Sequence, residues 1–332
     1  MTLSPHYSIT QAVVATPYPP APSIWIAYPG LFDWVQLYDK KTRVITRPSF
    51  SISFALKLLR DANQSHDKEQ VDRINRQISL QYMNMKSDHE KQVWDQLDAI
   101  KWWLTGQAVF AELSARPSYS VMIFPFDFLP TDEWRADTIA ATLPVRLPTT
   151  ALDRLRHDFI PFDMTPLPPL YPEMAARLKG TQVCEKGRGG IACFAATGTG
   201  SSVDIFFTPG NHKGPGSADQ DLLHELVHAS RIIRGLWDPR SVSGGYKEQE
   251  EFLAITVENI YGSEKGRPPR DHQQRPIDAA SFLDTNMNPT PRQLLALLQT
   301  QQPSLFAALA GIQTQLFNPV QQVDAEMRHR RP

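Results

Sequence analysis

Extremes are missing from this chain, and each absence removes a class of function. The formal net charge is −1 over 332 residues, so there is no electrostatic case for nucleic acid or for an anionic membrane surface. No stretch approaches a transmembrane span, and no charged n-region followed by an apolar core marks a signal peptide. Export, if it occurs, is expected through a machine that needs no cleaved leader. No internal repeat is evident. Cysteine is scarce: Cys184 and Cys193 are the two in the chain. They flank Gly187-Arg188-Gly189-Gly190, which reads as a hairpin turn, so one disulfide across two strands is geometrically possible. Two reduced, half-buried thiols are the plainer reading, and neither is read as a metal ligand. What remains is ordinary: 41% hydrophobic and 21% charged residues, the balance of a globular chain with room for one large or two modest domains.

Against that background one pentapeptide carries chemistry: His224-Glu225-Leu226-Val227-His228, an HExxH motif. Its surroundings predict a helix. Ser217 and Gln220 read as a capping box, Asp219 and Asp221 suit the positive end of the dipole, and Leu222, Leu223, Leu226, Val227, Ile232 and Ile233 form an apolar stripe. Arg231 and Arg234 fall in the last turn and Gly235 offers the stop. Two histidines four apart on a helix share one face, so their imidazoles can hold one metal ion. The glutamate between them can act as a general base on a water at the open position. The bland alternative is two packed histidines around a solvated glutamate.

A catalytic zinc site keeps three protein ligands. The extended form HExxHxxGxxH is absent, because Arg231 and Arg234 stand where its glycine and third histidine would be. The third ligand must come from elsewhere. Tyr246 to Gly262 reads as a second helix that begins with an acidic cluster and ends at Gly262. Glu251, Ala254, Ile255 and Glu258 share one of its faces. Glu248 and Glu250 read as a solvated helix start, with Glu250 the second candidate for the metal. Glu258 is an alternative ligand or a carboxylate orienting a histidine.

Glu251 followed by Phe-Leu-Ala resembles the third-ligand helix of the gluzincin proteases, which makes Glu251 the first choice. The combination of His-Glu-Leu-Val-His-Ala, a Gly-Tyr loop and Glu-Glu-Phe-Leu-Ala-Ile…Asn-Ile-Tyr resembles the NleD-like group of bacterial effector zinc metallopeptidases. That resemblance covers roughly Ser217 to His272, about a sixth of the chain. It implies an α+β zincin-like metallopeptidase domain, with a small mixed sheet, the HExxH helix and a third-ligand helix. Zn2+ would be held by His224, His228 and Glu251, with Glu225 as general base. It also implies a peptide or protein substrate bound along an edge strand, and delivery by a bacterial secretion machine from the bacterial cytoplasm into a target cell. A tyrosine near the third ligand faces the zinc in related gluzincins, which nominates Tyr246 for the oxyanion. His272 is a further candidate for the transition state or for substrate binding.

The rest of the chain supplies the frame. Residues 1 to about 30 are rich in proline and suggest an extended arm. From Ser49 to about Leu113 the pattern is helical, with one helix near Leu56, a second over Val71–Met85 and a third over Val93–Phe110, broken at Gly106. This gives a Pro-rich arm and helical region over 1–115, suited to a secretion component or chaperone, and a metallopeptidase domain over 116–332. Tyr119–Phe128 and Thr138–Leu147 read as strands. Thr181–Lys186, Ile191–Thr197 and Val203–Thr208 read as a meander, and Pro291–Phe317 as a helical tail. Two further classes stay open: a zinc-stabilised binding or adaptor module with little or no proteolysis, and a carrier protein whose helical N-terminal part does the work.

Overall fold

The computed structural model describes residues 13–31, 61–64, 67–126, 140–144, 202–211, 216–238, 240–244, 246, 248–271 and 274–329. The expected sites at His272, Cys184 and Cys193, the helix near Leu56 and the strands at 181–186 and 191–197 lie outside them. The fold is α+β, with a small mixed sheet and several helices. Strands β1 (Val13–Pro17), β2 (Ile24–Pro29), β3 (Val121–Phe124), β4 (Ala140–Pro144) and β5 (Val203–Phe207) form one sheet in the order β1-β2-β3-β5-β4. β1 pairs antiparallel with β2, and β4 with β5; β2-β3 and β3-β5 are parallel.

Strand alternation sends Ile24, Ile26, Val121, Ile123, Val203, Ile205 and Phe207 into one core cluster with the helices. Each side chain fully removed from water there contributes roughly 1.5–3 kcal/mol. β5 has both edges occupied, by β3 and β4. No edge is left for the expected pairing with Ile191–Thr197, so Val203–Phe207 is not the third strand of a meander.

The N-terminal expectations change most. The proline-rich segment supplies β1 and β2 and is no loose arm. β2 bonds directly to β3, so the expected boundary near residue 115 runs through the sheet. Helix α1 (Lys68–Lys101) is continuous where two helices were expected. Its buried stripe of Ile74, Ile78, Tyr82, His89, Val93, Leu97 and Ile100 lies over the sheet. Tyr82 donates to the Pro29 carbonyl at 3.0 Å, Tyr18 to Asp98 at 2.8 Å and Thr16 to Glu90 at 2.9 Å, so polar bonds join β1 and β2 to α1.

The helical break falls at Trp102-Trp103, before α2 (Leu104–Ser114), and not at Gly106. Two backbone N–H groups at the start of α2, of Leu104 and Thr105, donate to the Glu264 carboxylate at 3.0 and 2.9 Å, which satisfies donors a new helix leaves unpaired. Gly106 serves another purpose. A Cβ there would lie 2.1 Å from the Ile100 carbonyl oxygen, so only glycine lets the chain fold back this tightly.

Helices α3 (Ala218–Ile232) and α4 (Gln249–Glu264) follow the sheet and pack against each other. Then come α5 (Pro291–Gln301), α6 (Pro303–Ala310) and α7 (Pro319–His329). The expected tail is thus split at Pro303, and α7 was not foreseen. Thr290 and Gln293 form a full capping box at the start of α5. No helix among the described residues is long and apolar enough to cross a membrane.

Candidate metal centre

α3 begins after Ser217, as its sequence predicts, but the capping box does not form. The two side chains are taken by long-range partners. Ser217 Oγ accepts from Arg267, and Gln220 bonds Arg267 and Glu258. Asp219 is likewise no solvated dipole partner. It is 4% exposed and accepts from Tyr261 Oη and Lys265 Nζ, tying α3 to α4. Burial opposes its ionisation, but the bonds from Lys265, Ser217 and Tyr261 outweigh that and hold its carboxyl below the usual range. At the other end Gly235 adopts φ 66°. The Gly235 and Leu236 N–H groups donate back to Ile232 and Arg231 at 2.9 Å, the bonds of a Schellman stop.

α4 runs past Gly262 to Glu264, and the left-handed residue is Gly266, at φ 72°. Ala254 is fully buried, and α3 and α4 pack against each other. That packing brings His224, His228 and Glu251 together, with one donor atom from each within 4.8 Å of the others. Glu251 Oε2 is 3.5 Å from His224 Nε2, and its Oε1 is 3.6 Å from His228 Nε2. The two Nε2 atoms are 2.9 Å apart. Four-coordinate zinc with ligand bonds near 2.0–2.1 Å would separate its ligands by about 3.3 Å, so small adjustments accommodate it.

The far sides of the imidazoles fix their chemistry. His224 Nδ1 lies 2.9 Å from Glu258 Oε2, and His228 Nδ1 lies 3.3 Å from Glu250 Oε1. An ionised carboxylate only accepts hydrogen bonds, so Nδ1 is the donor in each pair, and a neutral ring held this way turns its Nε2 lone pair inward. Two lone pairs and the Glu251 carboxylate then converge on one point, which calls for a cation. Without a metal a proton serves. Burial alone lowers the pKa of His224, but the bonds and charges of Glu251 and then Glu258 push it well above the usual histidine value. The group can therefore hold a metal ion through two nitrogens and a carboxylate.

Glu250 corrects the sequence reading. It is 1% exposed and not a solvated helix start. Its Oε2 accepts from Arg231 Nε at 2.7 Å and from the Asp238 N–H at 3.2 Å. Arg231, which the sequence places in the last turn of this helix, is fully buried. A signal for this was available: His224, His228 and Arg231 follow i, i+4, i+7 spacing on one face, and a buried arginine needs a carboxylate. Trp237 was also missed. Its ring lies parallel to that of His228, with centroids 5.9 Å apart. Glu258 lies behind His224, on the ring nitrogen that faces away from Glu251.

Glu225 follows His224 on α3 and is 9% exposed. Tyr246 is 7% exposed and packs edge-on to Phe252, with centroids 5.0 Å apart. It lines a cavity of about 180 Å³ with Gly244, Asp271, Ile277, Phe282 and Met287. Burial, and then the charge of Asp271, raise its phenol above the ordinary tyrosine value. These are the contacts of a loop tyrosine packed into the core.

Comparison of the chain with protein-family models, curated proteins and solved structures gave no match.

Proposed function

We propose that this chain is a zinc-dependent endopeptidase of zincin type, with His224, His228 and Glu251 as the metal ligands. The observation that carries the reading is the convergence of three lone-pair donors whose histidines are fixed from behind by carboxylates. A donor set of two imidazoles and one carboxylate suits zinc. Bound there, zinc would polarise the scissile carbonyl and lower the pKa of a water toward about 7.

The chain's own part in the reaction falls to Glu225. Its carboxylate takes a proton from the attacking water as the oxygen bonds to the carbonyl carbon. It then delivers that proton to the amide nitrogen as the C–N bond breaks. β4 supports a binding mode for the substrate. It is an edge of the sheet among the described residues and packs against α3, so an extended peptide can add to its free side. Tyr246 is the candidate for the oxyanion, and Tyr246→Phe tests that role. The resemblance over Ser217 to His272 extends the proposal to a bacterial effector delivered by a secretion machine.

The test compares wild type with Glu225→Gln and Glu251→Ala. Elemental analysis of protein purified without added metal should find zinc in the first two and much less in the third. A proteome-wide search for new termini should find cleavage with wild type alone. Absence of zinc, even after its addition, would end the metalloenzyme reading. Zinc in wild type without any new termini would favour the binding-module alternative.

A further inference from the structure

We infer that Arg231 is a positioning residue of the metal site, and that the turn at Gln301-Gln302 between α5 and α6 belongs to that site through it. This rests on the proposed metal reading and extends it to helices that supply no ligand. The guanidinium is 0% exposed. Nε donates to Glu250 Oε2 at 2.7 Å, Nη1 to Gln302 Oε1 at 3.2 Å, and Nη2 to the Leu236 carbonyl at 2.7 Å and Gln301 Oε1 at 3.2 Å. Gln302 is itself fully buried and donates to Ser230 Oγ at 3.3 Å. A planar fork held at this many points has one orientation. It fixes one oxygen of Glu250, which aims the other at His228 Nδ1. Arg231 also neutralises Glu250, so a buried carboxylate can stand behind His228 without adding net charge to the site.

A purely structural arginine would affect folding and leave the metal's surroundings unchanged. The experiment separates the two by measuring zinc affinity, through chelator competition, and the visible spectrum of the Co2+-loaded protein, on folded material. Arg231→Lys keeps a charge beside Glu250 and loses the planar fork. It should fold, bind zinc about 10-fold more weakly and show an altered Co2+ spectrum, the low end of the scale expected when a group orienting a ligand is disturbed. Gln302→Leu keeps the ion pair and should shift both readouts in the same direction by a smaller factor. Val323→Ala, a cavity in α7, which gives no side chain to this network, should lower stability and leave both readouts as in wild type. Wild-type zinc affinity and spectrum in Arg231→Lys would overturn the inference. If that variant does not fold, Gln302→Leu decides alone, and no change in it overturns the inference equally. Failure of the wild type to bind either metal would instead overturn the metal reading beneath it.

Discussion

His224 and His228 sit one turn apart on the same helix and are held from behind in opposite ways. Behind His228 is a carboxylate 1% exposed, neutralised by a fully buried arginine. Behind His224 is a carboxylate 18% exposed, whose other oxygen is met by the neutral amide of Gln220 at 3.0 Å. The Trp237 ring also covers a face of His228. The His228 side is a closed, charge-balanced cluster, whereas the His224 side meets a neutral amide and keeps some access to solvent. Buried ion pairs are costly to break because the surviving partner is stranded, and more exposed ones are cheaper because water can replace the missing group.

Stability should break this comparison most sharply. Glu250→Ala strands Arg231 and is expected to cost about 3–5 kcal/mol in urea unfolding, whereas Glu258→Ala should cost about 1–2 kcal/mol. Equal costs would erase the asymmetry.

A third histidine, on α1, sharpens the contrast. His89 faces a backbone carbonyl, of Ile123, at 3.2 Å, where the metal-site histidines face carboxylates. Burial lowers its pKa to about 4, despite the nearby charge of Glu90. The folded value lies below the unfolded value of about 6.5. Its contribution is therefore full above that pH and is lost as pH falls toward about 4. Unfolding at pH 7 and pH 4.5 should show wild type losing up to about 3 kcal/mol more than His89→Gln. Parallel losses in the two proteins would show that His89 is not the group titrating.

Metal affinity gives the next effect. Glu258→Ala and Glu250→Gln should each weaken zinc binding about 10–100-fold, because each leaves a histidine without its carboxylate. The sequence alone read Glu250 as part of a solvated helix start and as the second candidate for a ligand; its burial against Arg231 and His228 removes the solvated reading. A Glu250→Gln protein with unchanged affinity would restore it. The smallest effect is expected for Gln220→Ala. It leaves Glu258 in place and should weaken zinc by less than ~10-fold, at about 1 kcal/mol or less of stability.

Much of the site was legible because helix periodicity is a local property. The spacing of His224 and His228, the start after Ser217, the stop at Gly235 and the shared face of Glu251, Ala254 and Glu258 can each be read from a few neighbouring residues. Local signals misled where the same side chains had stronger distant partners. Ser217 and Gln220 fit a capping box, but Arg267 and Glu258 hold them. Glu250 fits an exposed helix start, but α4 enters the core at that point. In the sheet, alternation identified Val203–Phe207 as a strand but could not name its neighbours, because two apolar strand edges compete on nearly equal terms until the fold brings one of them close.

The sequence by itself determined that two histidines and a glutamate share a buried helix, and that one of a few acidic residues downstream must meet them. Those facts follow from the 3.6-residue turn and from the cost of burying polar groups alone. Only the tertiary structure decided which glutamate joins the two histidines and which two stand behind them. Adjacent residues on α4 point about 100° apart. Their division of labour therefore depends on how α4 is rotated against α3. That rotation is set by contacts between residues far apart in the chain, such as Asp219 with Tyr261, and Arg231 with Gln302.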